Sequence, residues 1–134
     1  MGMFTKVTGN LLQNPEQRMV RVKGEDRKIT DLRVFADYYR RDGNGELVQD
    51  DDKCIAVEVT IWNEKLGDAV MEHFRKGARV VVDGEMHVNN YVDKEGTDRF
   101  SLRVDAETAA LVPYRIEKIV FKAKRQEPAD GVPA

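Results

Sequence analysis

The side chains best placed to do chemistry in this sequence are three aromatic residues interleaved with arginines and lysines, and the chemistry they suit is non-covalent. Trp62 ends the stretch CIAVEVTIW, where Ile55, Val57, Val59 and Ile61 point one way. Ala56, Glu58, Thr60 and Trp62 point the other, as strand alternation requires. The first set is a core face. The second is polar apart from one large indole, and an indole on a half-polar sheet surface suits stacking against unpaired bases. By the same parity Tyr91 shares a face with Arg79, His87 and Asn89, while Tyr39 shares one with Arg33 and Phe35. The competing reading packs Trp62 against a helix or a neighbouring subunit and places Tyr39 in an oligomer interface.

Covalent chemistry finds no comparable support. The sequence shows no Gly-rich phosphate loop, nucleophile elbow or carboxylate pair, so no enzyme activity is expected. His73 and His87 are the only histidines, and no carboxylate motif at ligand spacing accompanies them. Cys54 stands alone, which excludes an internal disulfide and a cysteine-rich zinc site. No metal, cofactor or small-molecule substrate is therefore expected. With 41% hydrophobic and 34% charged residues, the chain should fold rather than stay disordered. No apolar run approaches the roughly 20 residues of a membrane helix. The N-terminus lacks a signal-peptide hydrophobic region, so a cytoplasmic protein away from membranes is expected.

Twenty-two Lys and Arg oppose 24 Asp and Glu, a net charge of -2. For a polyanion partner the distribution matters more than the sum. Acidic residues gather at Asp50, Asp51 and Asp52, whereas basic ones recur from Arg18 to Arg41, at Arg75, Lys76 and Arg79, and from Lys118 to Arg125. A positive groove on an acidic molecule is compatible with this pattern.

The elements that must hold these residues are mostly strands. Phe4 to Leu12 reads as a first strand bent near Gly9, with a turn at Asn14-Pro15. Arg18 to Lys23 is a short alternating piece. From Lys28 to Arg40, Leu32, Val34 and Ala36 alternate with Arg33, Phe35 and Asp37, a half-buried strand. Residues Arg41 to Lys53 predict a mobile hairpin loop. Asn63 caps a helix reaching Lys76, with Leu66, Val70 and Phe74 on its apolar stripe and Gly77 as its left-handed stop. Arg79 to Tyr91 returns to strand, with Val80, Val82, Met86 and Val88 on the core side and a bend at Gly84. Asp93 to Gly96 is a hairpin tip from which Arg99 to Val104 pairs back. Tyr114 to Lys122 is expected as a last strand. This order predicts an all-β OB-fold, a five-stranded Greek-key barrel with no parallel strands and one α-helix between strands 3 and 4. The domain would span residues 1–122, with 123–134 a flexible tail.

Here the residues also carry a family resemblance. Gly9-Asn10-Leu11, then Asn14-Pro15-Glu16 and Arg18, is similar to the opening of bacterial single-stranded DNA-binding proteins. So are Trp62-Asn63-Glu64-Lys65-Leu66, Arg75-Lys76-Gly77, Asp83-Gly84, and Tyr91, Asp93, Lys94, Gly96, Asp98, Arg99 and Phe100 in their spacing. The resemblance covers roughly residues 4 to 112. It implies a non-catalytic OB-fold that binds single-stranded DNA without strong sequence preference, in replication, recombination or repair, usually as a homotetramer, with a dimer next. Trp62, Tyr39 and Tyr91 fall at aromatic positions of the family. With the parity argument, the expected nucleic-acid-binding set is Arg33, Phe35, Tyr39, Trp62, Lys65, Arg75, Lys76, Arg79, His87, Asn89, Tyr91, Lys94 and Arg99.

The departures from the family matter as much. Ala56 stands at a family tryptophan, Glu58 at an arginine, and His87 and Asn89 at two arginines of the long hairpin. Each removes stacking area or positive charge. The chain ends EPADGVPA rather than in an acidic tip, which puts docking through such a tip in question; replication or repair proteins stay open as partners. Two alternatives stay open: a primosomal-type accessory OB protein working mainly through protein contacts, and an OB-fold used only for protein contacts or RNA.

Overall fold

The computed structural model describes residues 2–124. Its elements run β1 (Met3–Leu11), β2 (Glu16–Val22), β3 (Glu25–Ala36), β4 (Tyr39–Arg41), β5 (Leu47–Gln49), β6 (Ile55–Ile61), α1 (Glu64–His73), β7 (Arg79–Val92) and β8 (Asp98–Leu111). Hydrophobic alternation makes the long strands. In β6 the residues Val57, Val59 and Ile61 are buried, because a period of two sends them all to one side. β7 buries Val80 and Val82 in the same way.

Five strands close into a ring. β1 pairs with β7, β7 with β8, β8 with β6 and β6 with β3. The ring is sealed where Asn10 and Leu11 of β1 meet Phe35 and Val34 of β3. β2 folds back along β3 outside the ring, and β4 and β5 form a separate two-stranded hairpin. This is the five-stranded OB-fold barrel with its helix between the third and fourth barrel strands. One pairing corrects the sequence expectation, since β6 and β8 run parallel. The reason is topological. A closed ring must contain an even number of antiparallel contacts, so five strands cannot all be antiparallel to both neighbours. α1 lies in the connection that makes the parallel pair possible.

The barrel interior holds Val7, Leu11, Leu32, Val34, Val57, Val59, Ile61, Val80, Val82 and Val104, and Val70 and Phe74 of the helix region join the same cluster. β-Branched residues dominate because they fit a pleated, closely packed surface. The Asn63 side chain accepts the Leu66 N–H at 2.9 Å and starts the helix. The helix ends three residues before the expected Lys76, for Phe74 is already extended and buried in the core. Gly77 adopts a positive φ of 89° in a separate turn closed by Ala78 N–H to the Arg75 carbonyl. Its role as helix stop is therefore corrected.

Two further expectations are overturned. Tyr114 to Lys122 forms no strand. Pro113 lacks a donor at its start, and the ring it would have joined is already sealed between β1 and β3. Ile119, Val120 and Phe121 stand exposed. Val88 does not reach the core and is 52% exposed, because β7 and β8 outrun the barrel and continue as a free two-stranded finger. Of the expected tail, residues 125–134 lie outside the described residues, and 123–124 carry no regular structure.

Gly84 sits where the β7–β8 register shifts. A Cβ there would collide with the Asp105 carbonyl and the Ala106 backbone, neither of which can swing aside. Gly84→Ala is expected to destabilise the barrel by about 1–3 kcal/mol, the cost of overpacking a tight site. Gly43→Ala, where a Cβ meets nothing, should be close to neutral. Urea midpoints for the two variants check this, and equal midpoints would show that the barrel does not need its close approach at Gly84.

Candidate nucleic-acid interface

Strand register arranges the outer surface of β3, β6, β8 and β7 into transverse rows. Arg33 faces Glu58, Glu58 faces Arg103, and Arg103 faces His87. One row along, Asp31 faces Thr60, Thr60 faces Asp105, and Asp105 faces Glu85. Beyond them on the finger come Asn89 opposite Ser101 and Tyr91 opposite Arg99. Opposite residues in a sheet share a face, so these rows form one continuous polar surface ending in an exposed aromatic ring. Tyr91 is 47% exposed.

Many of its charges are already engaged. Arg33 pairs with Glu58 at 3.1 Å and Arg99 with Asp93 at 3.0 Å. Asp105 accepts from the Trp62 indole at 3.2 Å and lies 3.1 Å from His87 Nε2. The Arg27 guanidinium lies 5.8 Å from the indole centroid, a cation–π contact. Trp62 is thus half-buried and held within the chain, intermediate between the open platform and the packed residue. Arg103 is exposed and makes no ion pair among the described residues. It was missed from sequence, although the alternation Arg99, Ser101, Arg103 would have put it on the Tyr91 face.

The finger tip is built by one side chain. Asp93 accepts the N–H groups of Glu95 and Thr97 at 2.9 Å each, and its main chain bonds Thr97 and Gly96 at 3.0 Å. Gly96 takes φ 80°, the left-handed position that glycine occupies cheaply. The β4–β5 hairpin repeats the device. Asp42 accepts from Asn44 and Glu46, and Gly45 takes φ 79°.

The other expected residues lie elsewhere. Tyr39, 51% exposed, stands on β4, after the chain leaves β3 at Ala36, so parity with Arg33 and Phe35 does not carry across. Its neighbour Tyr38 has the Lys53 ammonium 4.7 Å above its ring. Phe35 is half-buried, opposite Ala56. Arg79 is spent on Asp37 and Asn10 at 3.2–3.4 Å, at the far end of β7 from Tyr91. Arg75 and Lys76 line a separate cavity with His73 and Arg115, and Arg75 also caps the Phe74 carbonyl at 2.8 Å. Lys65 is exposed on α1, and Lys94 is exposed at the finger tip. The structure therefore brings Arg33, His87, Asn89, Tyr91 and Arg99 together on one surface, with Lys94 at its tip.

Comparison with known proteins places this geometry. Residues 5–112 match the model of the single-strand binding protein family. The chain belongs to that family. Among relatives, it is 25% identical over 112 residues to a single-stranded DNA-binding protein of Chlamydia caviae, covering 84% of this chain and 62% of that one. It is 31% identical over 97 residues to the Rhizobium meliloti protein of the same name, covering 72% and 52%. The chain thus spans about three fifths or less of the length of these relatives. Among solved structures, a small single-stranded DNA-binding protein from Streptomyces coelicolor superposes with TM-score 0.68 at 18% identity, covering 84% of this chain and 95% of that one. A Plasmodium falciparum SSB in complex with ssDNA gives 0.57 at 16%, covering 84% and 93%. These likenesses confirm the fold.

Within the family scaffold, the tip carries a measurable electrostatic signature. The Arg99 hydrogen bond, followed by the backbone N–H of Thr97, holds the Asp93 carboxyl below its ordinary 3.8. A folded value below the unfolded one stabilises the tip fully above the ordinary carboxylate range, and that contribution is lost as pH falls through the lowered value. Carboxyl NMR titration of Asp93 is expected to give a midpoint below 3.8 that rises in Arg99→Ala. A midpoint indifferent to Arg99 would mean the ion pair does not order the tip.

Proposed function

We propose that this chain is a single-stranded DNA-binding domain, acting by base stacking and backbone charge in replication, recombination or repair, in the cytoplasm and without catalysis. The observation that carries the reading is the β7–β8 finger, which lifts Tyr91 clear of the barrel opposite Arg99, with Arg103 unpaired two rows below. Unpaired bases offer a π-face that an exposed tyrosine can meet, and phosphates supply the charge that guanidinium and ammonium groups seek. The names of the relatives and the ssDNA complex of a structural neighbour support it. A homotetramer, or failing that a dimer, fits the apolar residues left outside the barrel, with Met3 and Phe4 on β1 and Val88, Val92 and Phe100 on the finger.

A second reading has an observation of its own. Arg33, Arg79 and Arg99 are committed to internal carboxylates, which leaves a weaker positive field than the seven expected lysines and arginines would give if free. That favours an accessory OB protein working mainly through protein contacts.

Trp62 is the sole tryptophan, so its fluorescence reports binding directly. Titration with single-stranded DNA of mixed sequence at two salt concentrations should show tight, salt-sensitive binding. Tyr91→Ala should weaken it by roughly 1–3 kcal/mol. Arg103→Ala and Lys94→Ala should each reduce the salt slope by about 0.7, one phosphate contact on a single strand. Light scattering should give a tetramer. Weak binding by a stable dimer selects the accessory reading, and no binding rejects both.

A further inference from the structure

The rows on the outer sheet enclose a cleft of about 310 Å³ between the β1–β2 turn and the finger, lined by Arg18, Asp31, Glu58, Thr60, Asn89 and Arg103 among others. No aromatic side chain lines it, so no ring there can stack with a base. Its lining carries three carboxylates, Glu16, Asp31 and Glu58, which repel a phosphate. Two of them are fixed in place. Glu58 Oε1 accepts from Arg33 at 3.1 Å, and Asp31 Oδ2 accepts from Arg18 at 2.6 Å. A carboxylate has about four lone-pair sites, so each held group keeps acceptor capacity toward the cleft. Asp31 and Glu58 sit on neighbouring strands in adjacent rows.

We propose that this cleft receives the edge of one unpaired base and selects for an exocyclic amine, disfavouring thymine. The inference rests on the single-strand reading above. An amine carries two N–H groups and can donate one to each of two flanking carboxylates, as carboxylates accept from cytosine N4 in duplex readout. Thymine offers a single N3–H, so it can satisfy at most one of the two carboxylates, whatever its carbonyl oxygens accept from Arg103 and Asn89 in the same lining. Arg103, unpaired and facing Glu58 across the β6–β8 pairing, holds the phosphate outside while the base points in. The finger continues to bind without regard to sequence, so the selection is a bias at one position.

Oligo-dC and oligo-dT of equal length separate the effects, since both are pyrimidines that differ at the edge. Their affinity ratio is measured for the natural chain, for Glu58→Gln, and for Glu107→Gln, an exposed β8 control outside the cleft. Taking each ratio relative to the control cancels any general difference between the two polymers. Glu58→Gln is expected to lower the dC-to-dT ratio roughly fivefold, the low end of one specific base contact, while Glu107→Gln leaves it unchanged. A ratio unmoved by Glu58→Gln, with both oligomers still bound, overturns the base-edge site and leaves the single-strand reading standing. No binding of either oligomer by the natural chain overturns the single-strand reading itself, and this inference with it.

Discussion

Sealing five strands into a ring is the constraint on which the rest of this molecule depends. The seal is small, two residue pairs between β1 and β3, and it forms only because the backbones come unusually close. At Gly9, beside the seal, a Cβ would strike the Phe35 carbonyl, and a second close approach, at Gly84 against Asp105, lets β7 and β8 bend around the ring. Once sealed, the ring removes the exposed edges that make open sheets associate. It also turns every barrel strand into a two-sided object: a valine-rich interior, and an exterior free to carry chemistry. The odd strand count then forces the parallel β6–β8 contact. That contact sets Glu58 beside Arg103 and Thr60 beside Asp105, so the composition of the outer rows follows from closure.

Those rows explain why the outer sheet of an acidic chain carries little net field of either sign. Charges alternate across strands, with Arg33, Glu58 and Arg103 in succession and an acidic row of Asp31, Asp105 and Glu85 beside them, so most of the field cancels locally. Exposed pairs of this kind add little stability. Their effect is positional, since they hold side chains that would otherwise sweep through solvent. A ligand meets fixed donors and acceptors, with net positive charge only at residues such as Arg103 and Lys94 that have no ion pair among the described residues.

Much of this was legible in the sequence because strand parity is a local property. The core face of β6, the cap at Asn63 and both hairpin tips follow from residues within a few positions of one another. What escaped depended on distant partners. Val88 fits a core pattern, yet whether it is buried depends on where the barrel ends. Tyr114 to Lys122 has strand composition but no edge to join. That Arg79 pairs with Asp37, 42 residues away, is a contact no local pattern could show. The face of Tyr39 was not readable from β3, because a two-residue break after Ala36 resets the alternation. Trp62 was half-read, for parity shows its face but not the Asp105 and Arg27 groups that take hold of it.

The paired aspartate loops at Asp42 and Asp93 have a bearing on how such a molecule can change over evolutionary time. Each is a closure whose backbone and aspartate-to-backbone hydrogen bonds lie within five consecutive residues, so it can ride at the end of a ladder of any length. A ladder with period two, however, accepts growth only in matched pairs on both strands. Adding one residue to each arm of the β7–β8 finger would turn Tyr91 and Arg99 to the opposite side, whereas adding two would keep their side and carry them outward. The finger is therefore a ruler with fixed graduations, and the reach of its outward-facing side chains beyond the barrel should vary in discrete steps.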